Sequence, residues 1–186
     1  MPNLFDFLGD DKDFFMKSSW MVYTDLNGVR QYIGKTSNEK TLSPALETIE
    51  WNDNSSGVQT LFVTDITKAG LSVNFSFMQI ADPNALALFL NGELDSSNAN
   101  KHYIYMGSNP QELESAEWRF VAQSRSGLTI TLVIREGACY SAGDWTSGGA
   151  GDYAMLPVVV KAQQDTSITN TKRDLAYFMI DKKVYS

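Results

Sequence analysis

The sequence predicts an all-β protein: an antiparallel β-sandwich or barrel with one short flanking α-helix at about residues 83–91. Two observations predict this fold. About nine short segments are rich in aromatic and β-branched residues, several of them alternate apolar with polar side chains, and turn-forming residues separate them. One further stretch begins with a helix-capping residue and is then apolar on every side. We expect one domain at 18–186, preceded by an N-terminal arm at 1–17.

Composition and charge narrow the class of function. The chain has 186 residues, a hydrophobic fraction of 43% and a net charge of −7. It is therefore long enough for a substantial core, and its bulk charge does not attract nucleic acid phosphates. The single cysteine, Cys139, excludes an intramolecular disulfide and fits a reducing compartment. The first residues lack a secretory-signal pattern and no apolar run could span a bilayer, so we expect a soluble protein made in the cytoplasm, with no membrane partner.

The first strands are predicted to form a hairpin. Asn27-Gly28 readily adopts the positive φ angles of a tight turn and lies between two runs rich in aromatic and β-branched residues. Further strands are predicted where ALETIEW alternates at 45–51 and at 58–66, VQTLFVTDI. The polar segment at 51–57 is predicted to be the loop between them.

The segment 70–92 combines a strand with the helix. Alternate residues form the apolar face of the strand: Leu71, Val73, Phe75 and Phe77. Asp82 is a good N-cap, Pro83 suits the first helical position, and Gly92 is a plausible helix end. Because residues 85–90 are apolar all round, we expect this helix to be covered on several sides.

The second half of the chain adds the remaining strands. They are predicted in the segments KHYIYMGS, AEWRFVAQ, GLTITLVIRE, YAMLPVVVKAQ and LAYFMI. Pro157 suggests an edge position or a bulge for its strand. A loop rich in Gly and Ser is predicted at 137–152, and long loops in compact domains are often functional.

Catalytic and metal-binding motifs are weak. His102 is the one histidine, no G-x-S-x-G elbow accompanies it, and Cys139 has no matching base motif. One histidine and one cysteine do not make a structural zinc site. The acidic cluster Glu112, Glu114 and Glu117 is expected to be a solvated turn, with paired carboxylates of a glycosidase-like cleft as the alternative. We therefore predict neither an enzyme nor a cofactor.

Three features favour assembly over a self-contained monomer. The arm carries large apolar residues among acidic ones, and it either folds back on its own core or docks on a neighbour. The helix lacks a polar face, and the loops at 51–57 and 137–152 resemble segments that become ordered on binding. The residues expected to contact other subunits are Leu4, Phe5, Phe7, Leu8, Phe14, Phe15, Trp51, Leu86, Phe89, Leu90 and Trp145.

The order of elements within residues 30–170 carries a family resemblance. In SPALETIEWNDNSSGVQTLFVTDITKAGLSVNFSFMQIADPNALALFLNG, an acidic alternating strand precedes a loop with Ser-Gly, a V-x-F-x-F strand and a short helix that ends near Gly. EWRFVAQSRSGLTITLVIREG and YAMLPVVVKAQQDTS follow, the latter with Leu-Pro-Val at 156–158. This order resembles the tail tube proteins, or major tail proteins, of long-tailed bacteriophages, whose fold is related to the tube protein of type VI secretion systems.

The resemblance implies a structural protein of the virion tail. Members of the family form a β-sandwich with a flanking helix and assemble into hexameric rings, which stack into a tube for genome ejection. An N-terminal arm and a long loop usually bridge the rings. The implied partners are further copies of the chain, other tail proteins (tape measure, terminator and tail tip) and double-stranded DNA that passes without specific binding. No cofactor is implied.

Two other classes of function stay open. The first is a carbohydrate-binding or receptor-binding β-sandwich of a virion, because Trp20, Trp51, Trp118 or Trp145 could stack on sugars. Trp145 is the best candidate for an exposed residue among them, since it lies in the Gly-rich segment. The second is a hydrolase whose turnover depends on His102.

Overall fold

The computed structural model of the chain describes residues 21–26, 29–34, 36–53, 60–78, 81–107, 113–123, 128–145, 154–170 and 174–181. The predicted arm at 1–17 lies outside these residues, and so do its apolar side chains. The ten strands and one helix of the described part are β1 (Met21–Leu26), β2 (Val29–Tyr32), β3 (Thr36–Asp53), β4 (Thr60–Phe77), α1 (Pro83–Leu90), β5 (Glu93–Asp95), β6 (Tyr103–Tyr105), β7 (Ser115–Gln123), β8 (Thr129–Ser141), β9 (Leu156–Gln163) and β10 (Ala176–Ile180).

Eight of these strands form one curved sheet that is nearly closed into a barrel. The order is β2-β1-β7-β8-β9-β4-β3, and β10 also pairs with β8. β10 pairs with residues 130–134 of β8 and β9 with residues 136–141, so β10 and β9 follow one another along the same strand. β5 and β6 form a separate two-stranded sheet. All described pairs are antiparallel, and the predicted all-β fold with one short helix is confirmed.

The core lies on the concave side of this sheet. β7 shows the reason most clearly, because its residues alternate between buried and partly exposed along the strand. The largest fully buried side chains of the core are Trp118, Phe77, Phe89, Phe120, Ile134 and Leu156. Burial of each such side chain contributes about 1.5–3 kcal/mol, so this set holds the barrel together.

Helix α1 packs against the core, and its ends follow the predicted chemistry. The Asp82 carboxylate accepts from the N–H groups of Asn84 and Ala85 at 3.0 and 3.2 Å. The helix ends at Leu90, two residues before the predicted glycine, because Asn91 is its C-cap and takes the left-handed conformation with φ 50°. The N–H of Gly92 donates to the Ala87 carbonyl at 2.8 Å, which completes the C-terminal cap.

The β3–β4 hairpin is longer than the sequence indicates. The strands predicted at 58–66 and from Gly70 are one continuous strand, β4, of 18 residues. Its partner β3 is also 18 residues long and begins at Thr36. A register shift between Glu47 and Thr48 inserts an extra residue here, and such bulges let a long hairpin bend without breaking.

Two further expectations need correction. The first five residues of the loop predicted at 137–152 belong to β8, so Cys139 is a buried strand residue. The edge position suggested by Pro157 is wrong, because β9 lies between β4 and β8. The proline is tolerated because it is the second residue of β9 and precedes Val158, where pairing with β8 begins.

Candidate assembly surface

The β3–β4 hairpin extends beyond the rest of the sheet. β9 pairs with β4 only between Ser72 and Phe77. Residues 60–70 of β4 pair with β3 alone among the described strands. We call residues 45–53 of β3 and 60–70 of β4 the ribbon; at about 3.3 Å per residue it is about 30 Å long. Both edges of the ribbon thus carry backbone N–H and C=O groups without a strand partner in the described chain.

An isolated two-stranded ribbon is marginally stable in water, so it gains from a neighbouring surface. Around its base, side chains on both faces are exposed, since the adjacent residues Ala45 and Leu46 are both exposed, Leu46 at 61%. Two register shifts lie in the ribbon, after Glu47 and after Trp51. Bulges of this kind twist a free edge, which limits indiscriminate edge-to-edge pairing.

Strand β10 provides a second exposed surface. It pairs only with β8 among the described strands, so its other edge is open. Three consecutive side chains are exposed, Phe178 at 52%, Met179 at 41% and Ile180 at 59%. Consecutive residues point to opposite faces of a strand, so the end of β10 is apolar on both faces. This strand is predicted from the sequence, but its exposed apolar end is not; the available signal was three apolar residues close to a lysine pair.

The helix residues expected at subunit contacts differ in their surroundings. Phe89 is fully buried in its own chain, where its ring packs edge-on against Phe77 and Phe75 at centroid distances of 4.8 and 6.3 Å. Leu86 and Leu90 are partly buried against the same core cluster. The cover that the apolar helix requires therefore comes largely from its own chain. For Leu86 and Leu90 a further contact with a neighbour stays a prediction.

The tryptophans expected at contacts belong to different elements of the fold. Trp51 is in the ribbon, at the register position of Val63. Trp145 is 51% exposed and follows β8. Trp118 is 1% exposed, and its indole N–H donates to the Gly137 carbonyl at 2.9 Å, so it is a core residue and unavailable for sugar stacking.

The β5–β6 hairpin exposes a small aromatic surface. Tyr103 and Tyr105 are 38% and 55% exposed, and their rings lie nearly parallel with centroids 6.2 Å apart. Met106, which follows them, is 70% exposed. Exposed aromatic faces of this kind suit a sugar ring or another flat apolar group.

The groups that an enzyme would need are scattered. His102 Nδ1 lies 2.9 Å from Ser96 Oγ, and both residues are exposed. Within the described part of the chain no carboxylate hydrogen-bonds to this histidine to orient it, unlike in a catalytic triad. Cys139 is deep in β8, where burial raises the pKa of its thiol well above 9.0 and keeps it protonated. Glu117 pairs with Arg119 at 2.5 Å, Glu114 is exposed, and Glu112 lies outside the described residues.

Metal-binding and membrane-spanning features are not found where the structure is described. No group of three or more His, Cys, Asp or Glu residues could hold a metal ion among those residues. Helix α1 has eight residues, and no helix in the described part of the chain is long and apolar enough to cross a membrane.

Comparison with known proteins finds similarity among solved structures. No family model matches the chain, and no curated protein matches it. Among solved structures, the chain is similar to one described as the tail of an empty GTA particle, computed with helical refinement and C6 symmetry. The two are 15% identical, the match covers 82% of this chain and 92% of that chain, and the TM-score is 0.39. A likeness of this size leaves the function of the present chain to be argued from its own residues.

Proposed function

We propose that this protein is a tail tube subunit, which assembles into hexameric rings that stack into a conduit for DNA in the virion tail. The observation that carries the proposal is the ribbon. It extends about 30 Å from the barrel on two strands, and both of its edges lack a strand partner among the described residues. Unpaired edges of this length favour pairing with another copy.

A closed ring is the arrangement that removes such edges. If each copy pairs its ribbon with the next copy, every backbone N–H and C=O group along the strands finds a partner and no end is left over. Cyclic symmetry requires one surface of a copy to fit a different surface of its neighbour. The ribbon and the apolar end of β10 are two such surfaces, at Leu46 and at Phe178–Ile180. Six copies per ring are what the family resemblance implies.

The charge of the chain suits a passage for DNA rather than a binding site. The net charge is −7, and the ribbon contributes Glu47, Glu50, Asp53 and Asp65 against Lys68. Carboxylates repel phosphates, so a tube lined with them would let the duplex slide without sticking. We expect no catalysis and no cofactor, and we expect the tape measure, terminator and tail tip proteins as partners.

Electron microscopy tests the proposal directly. Purified protein, concentrated and viewed in negative stain, should show rings or tubes. Leu46→Glu should abolish them, because it places a charge on the exposed face of the ribbon, whereas Met106→Glu on the β5–β6 hairpin should not. A monodisperse monomer at every concentration, even with the tail initiator proteins present, would contradict the proposal, and so would a basic lumen in an assembled tube.

A carbohydrate-binding module is the second candidate. It is favoured by the exposed Trp145 and by the parallel rings of Tyr103 and Tyr105. Glycan-array binding by a monomer would support it. Loss of that binding in Trp145→Ala or in Tyr105→Ala would locate the sugar at one of the two surfaces. Binding that survives both substitutions would exclude both surfaces.

A further inference from the structure

An apolar pocket opens between β3 and β10. It has a volume of about 150 Å³ and is lined by residues of β3, β4, β7, β8 and β10. Its floor consists of core side chains that are at most 3% exposed, namely Val73, Phe120 and Leu132. Its rim consists of Lys40, Leu42 and Phe178.

The size and lining of the pocket suit a phenyl ring. Cavities of about 150 Å³ lined by leucine and phenylalanine stay dry and take up benzene. The rim residues Leu42 and Phe178 are 40% and 52% exposed, so the pocket is accessible from solvent. A ring that entered it would cover apolar surface on both the floor and the rim, and removing apolar surface from water is favourable.

Lys40 adds a charge requirement at the mouth. It is partly buried and its ammonium donates to the Ser37 carbonyl at 2.7 Å. No carboxylate lies within salt-bridge distance of it in the described part of the chain. Burial lowers the pKa of Lys40 to about 8, because desolvation disfavours its charged form. A ligand that combined an aromatic ring with a carboxylate would satisfy both the pocket and the lysine.

The N-terminal segment of the chain contains this combination. Residues 1–17 include four phenylalanines and four aspartates. In an extended segment, side chains two residues apart lie on the same side. Asp13 and Phe15 are the one aspartate–phenylalanine pair of residues 1–17 with that spacing.

We propose that the pocket binds Phe15 of the same molecule, with the Asp13 carboxylate beside the Lys40 ammonium. The described chain begins at Met21, which lies in the register row of Val121, Thr131 and Met179. β1 is therefore three strands from β10, or about 14 Å at about 4.8 Å per strand. The six residues from Phe15 to Met21 span up to about 20 Å, which is sufficient.

The short tether also selects this pair over others. Phe5 and Phe7 are joined to Met21 by 14 or more residues, and the effective concentration of a tethered group falls as the tether lengthens. Docking of Phe15 covers the exposed side chains of the pocket rim in the free subunit. The inference concerns the single molecule and holds or fails independently of tube assembly.

Cross-linking in the full chain tests the proposal. Cysteines replace Met16, next to Phe15, and Met179, next to Phe178; the native Cys139 is buried and its raised pKa keeps it unreactive. A short bismaleimide at low protein concentration should link the pair within one molecule at least tenfold faster than a control pair, Met16→Cys with Ser97→Cys. Ser97 is exposed on the connection between β5 and β6.

A matched pair of substitutions then identifies the docked ring. Adding Phe15→Ser should reduce the rate to that of the control, whereas Phe14→Ser should leave it fast. Equal rates for the Met179 and Ser97 partners would overturn the proposal. So would an undiminished rate with Phe15→Ser, or a product that forms only between molecules.

The pKa of Lys40, measured by NMR in the full chain, supplies a readout that a general loss of packing would not reproduce. The Asp13 carboxylate favours the charged lysine, so Asp13→Asn should lower the pKa of Lys40 toward the value of about 8 that burial alone produces. Asp11→Asn is the control and should leave it unchanged. A pKa that is the same in the native chain and in Asp13→Asn would place the carboxylate elsewhere and overturn the pairing.

Discussion

The two halves of β4 differ in almost every respect, although they form one strand. Residues 72–77 have β3 on one side and β9 on the other, and Val73, Phe75 and Phe77 are at most 4% exposed. Among the described strands, residues 60–70 have β3 alone, and Leu46 of that partner strand is 61% exposed. Residues 72–77 are thus part of the barrel, whereas residues 60–70 have a strand on one side only within the described part of the chain.

This difference separates residues that stabilise the monomer from residues available for assembly. Substitutions in the barrel should change the free energy of unfolding of a single chain. Substitutions in the ribbon should leave that free energy nearly constant and alter association instead. The following experiments test this division, beginning with the largest expected effect.

Phe89→Ala should lower the free energy of unfolding by about 3–5 kcal/mol, because it leaves a cavity beside Phe75 and Phe77. Urea denaturation of the monomer measures the change. Leu90→Ala on the same helix is partly exposed already and should cost less. If Phe89→Ala were nearly neutral, the helix would not be covered by its own chain.

Gly137→Ala should lower the free energy of unfolding by about 1–3 kcal/mol, because an added Cβ overpacks the barrel. That atom would lie 2.6 Å from Trp118 Cδ1 and 2.9 Å from Val160 Cγ1. The control is Gly70→Ala at the base of the ribbon, where the nearest atom, Ala45 Cβ, is 3.7 Å away. Equal losses for the two variants, measured by thermal unfolding, would remove the distinction between barrel and ribbon.

Cys139 should make the barrel less stable at alkaline pH. Burial raises the pKa of the folded thiol well above 9.0, so above pH 9.0 the unfolded chain loses a proton that the folded chain retains. The native chain should therefore lose up to about 1.4 kcal/mol per pH unit above that point relative to Cys139→Ala. Urea titrations of both proteins at pH 7 and pH 10 measure the difference, and parallel pH profiles would show that the thiol is not sealed in β8.

Leu46→Ser should change the free energy of unfolding of the monomer by no more than about 0.5 kcal/mol, because the side chain is 61% exposed. The same variant should assemble less well in sedimentation experiments, because the ribbon loses apolar contact area. A loss of stability of several kcal/mol in the monomer would mean that the ribbon packs on its own chain.

Local features of the fold were predictable. β1 and β2 pair as an antiparallel hairpin with Leu26 opposite Val29, as expected; Asn27 and Gly28 themselves lie outside the described residues. The Asp82 cap and the helix at about 83–91 are also found, within one residue. These features depend on backbone conformation and side-chain alternation over a few adjacent residues, and therefore residue types alone indicate them.

The position of the candidate surface was only partly predictable. Phe89, expected at a subunit contact, lies in the core, whereas Leu46 and Phe178, for which no contact was expected, are exposed. Apolar composition indicates that a side chain needs cover, but it does not say which chain supplies the cover. The roles of the arm, of Trp51 and of Trp145 in contacts stay predictions.

By itself, the sequence determined the class of secondary structure, the helix with its cap and the acidic character of the chain, because each depends on local backbone preferences or on composition. Only the tertiary structure decided that the pairing of β4 with β9 ends at Ser72, that β4 continues from there into the ribbon, and that a pocket opens between Lys40 and Phe178. Those features depend on which distant strands pair and where each pairing ends. Such contacts involve residues tens of positions apart, and no short stretch of sequence encodes them.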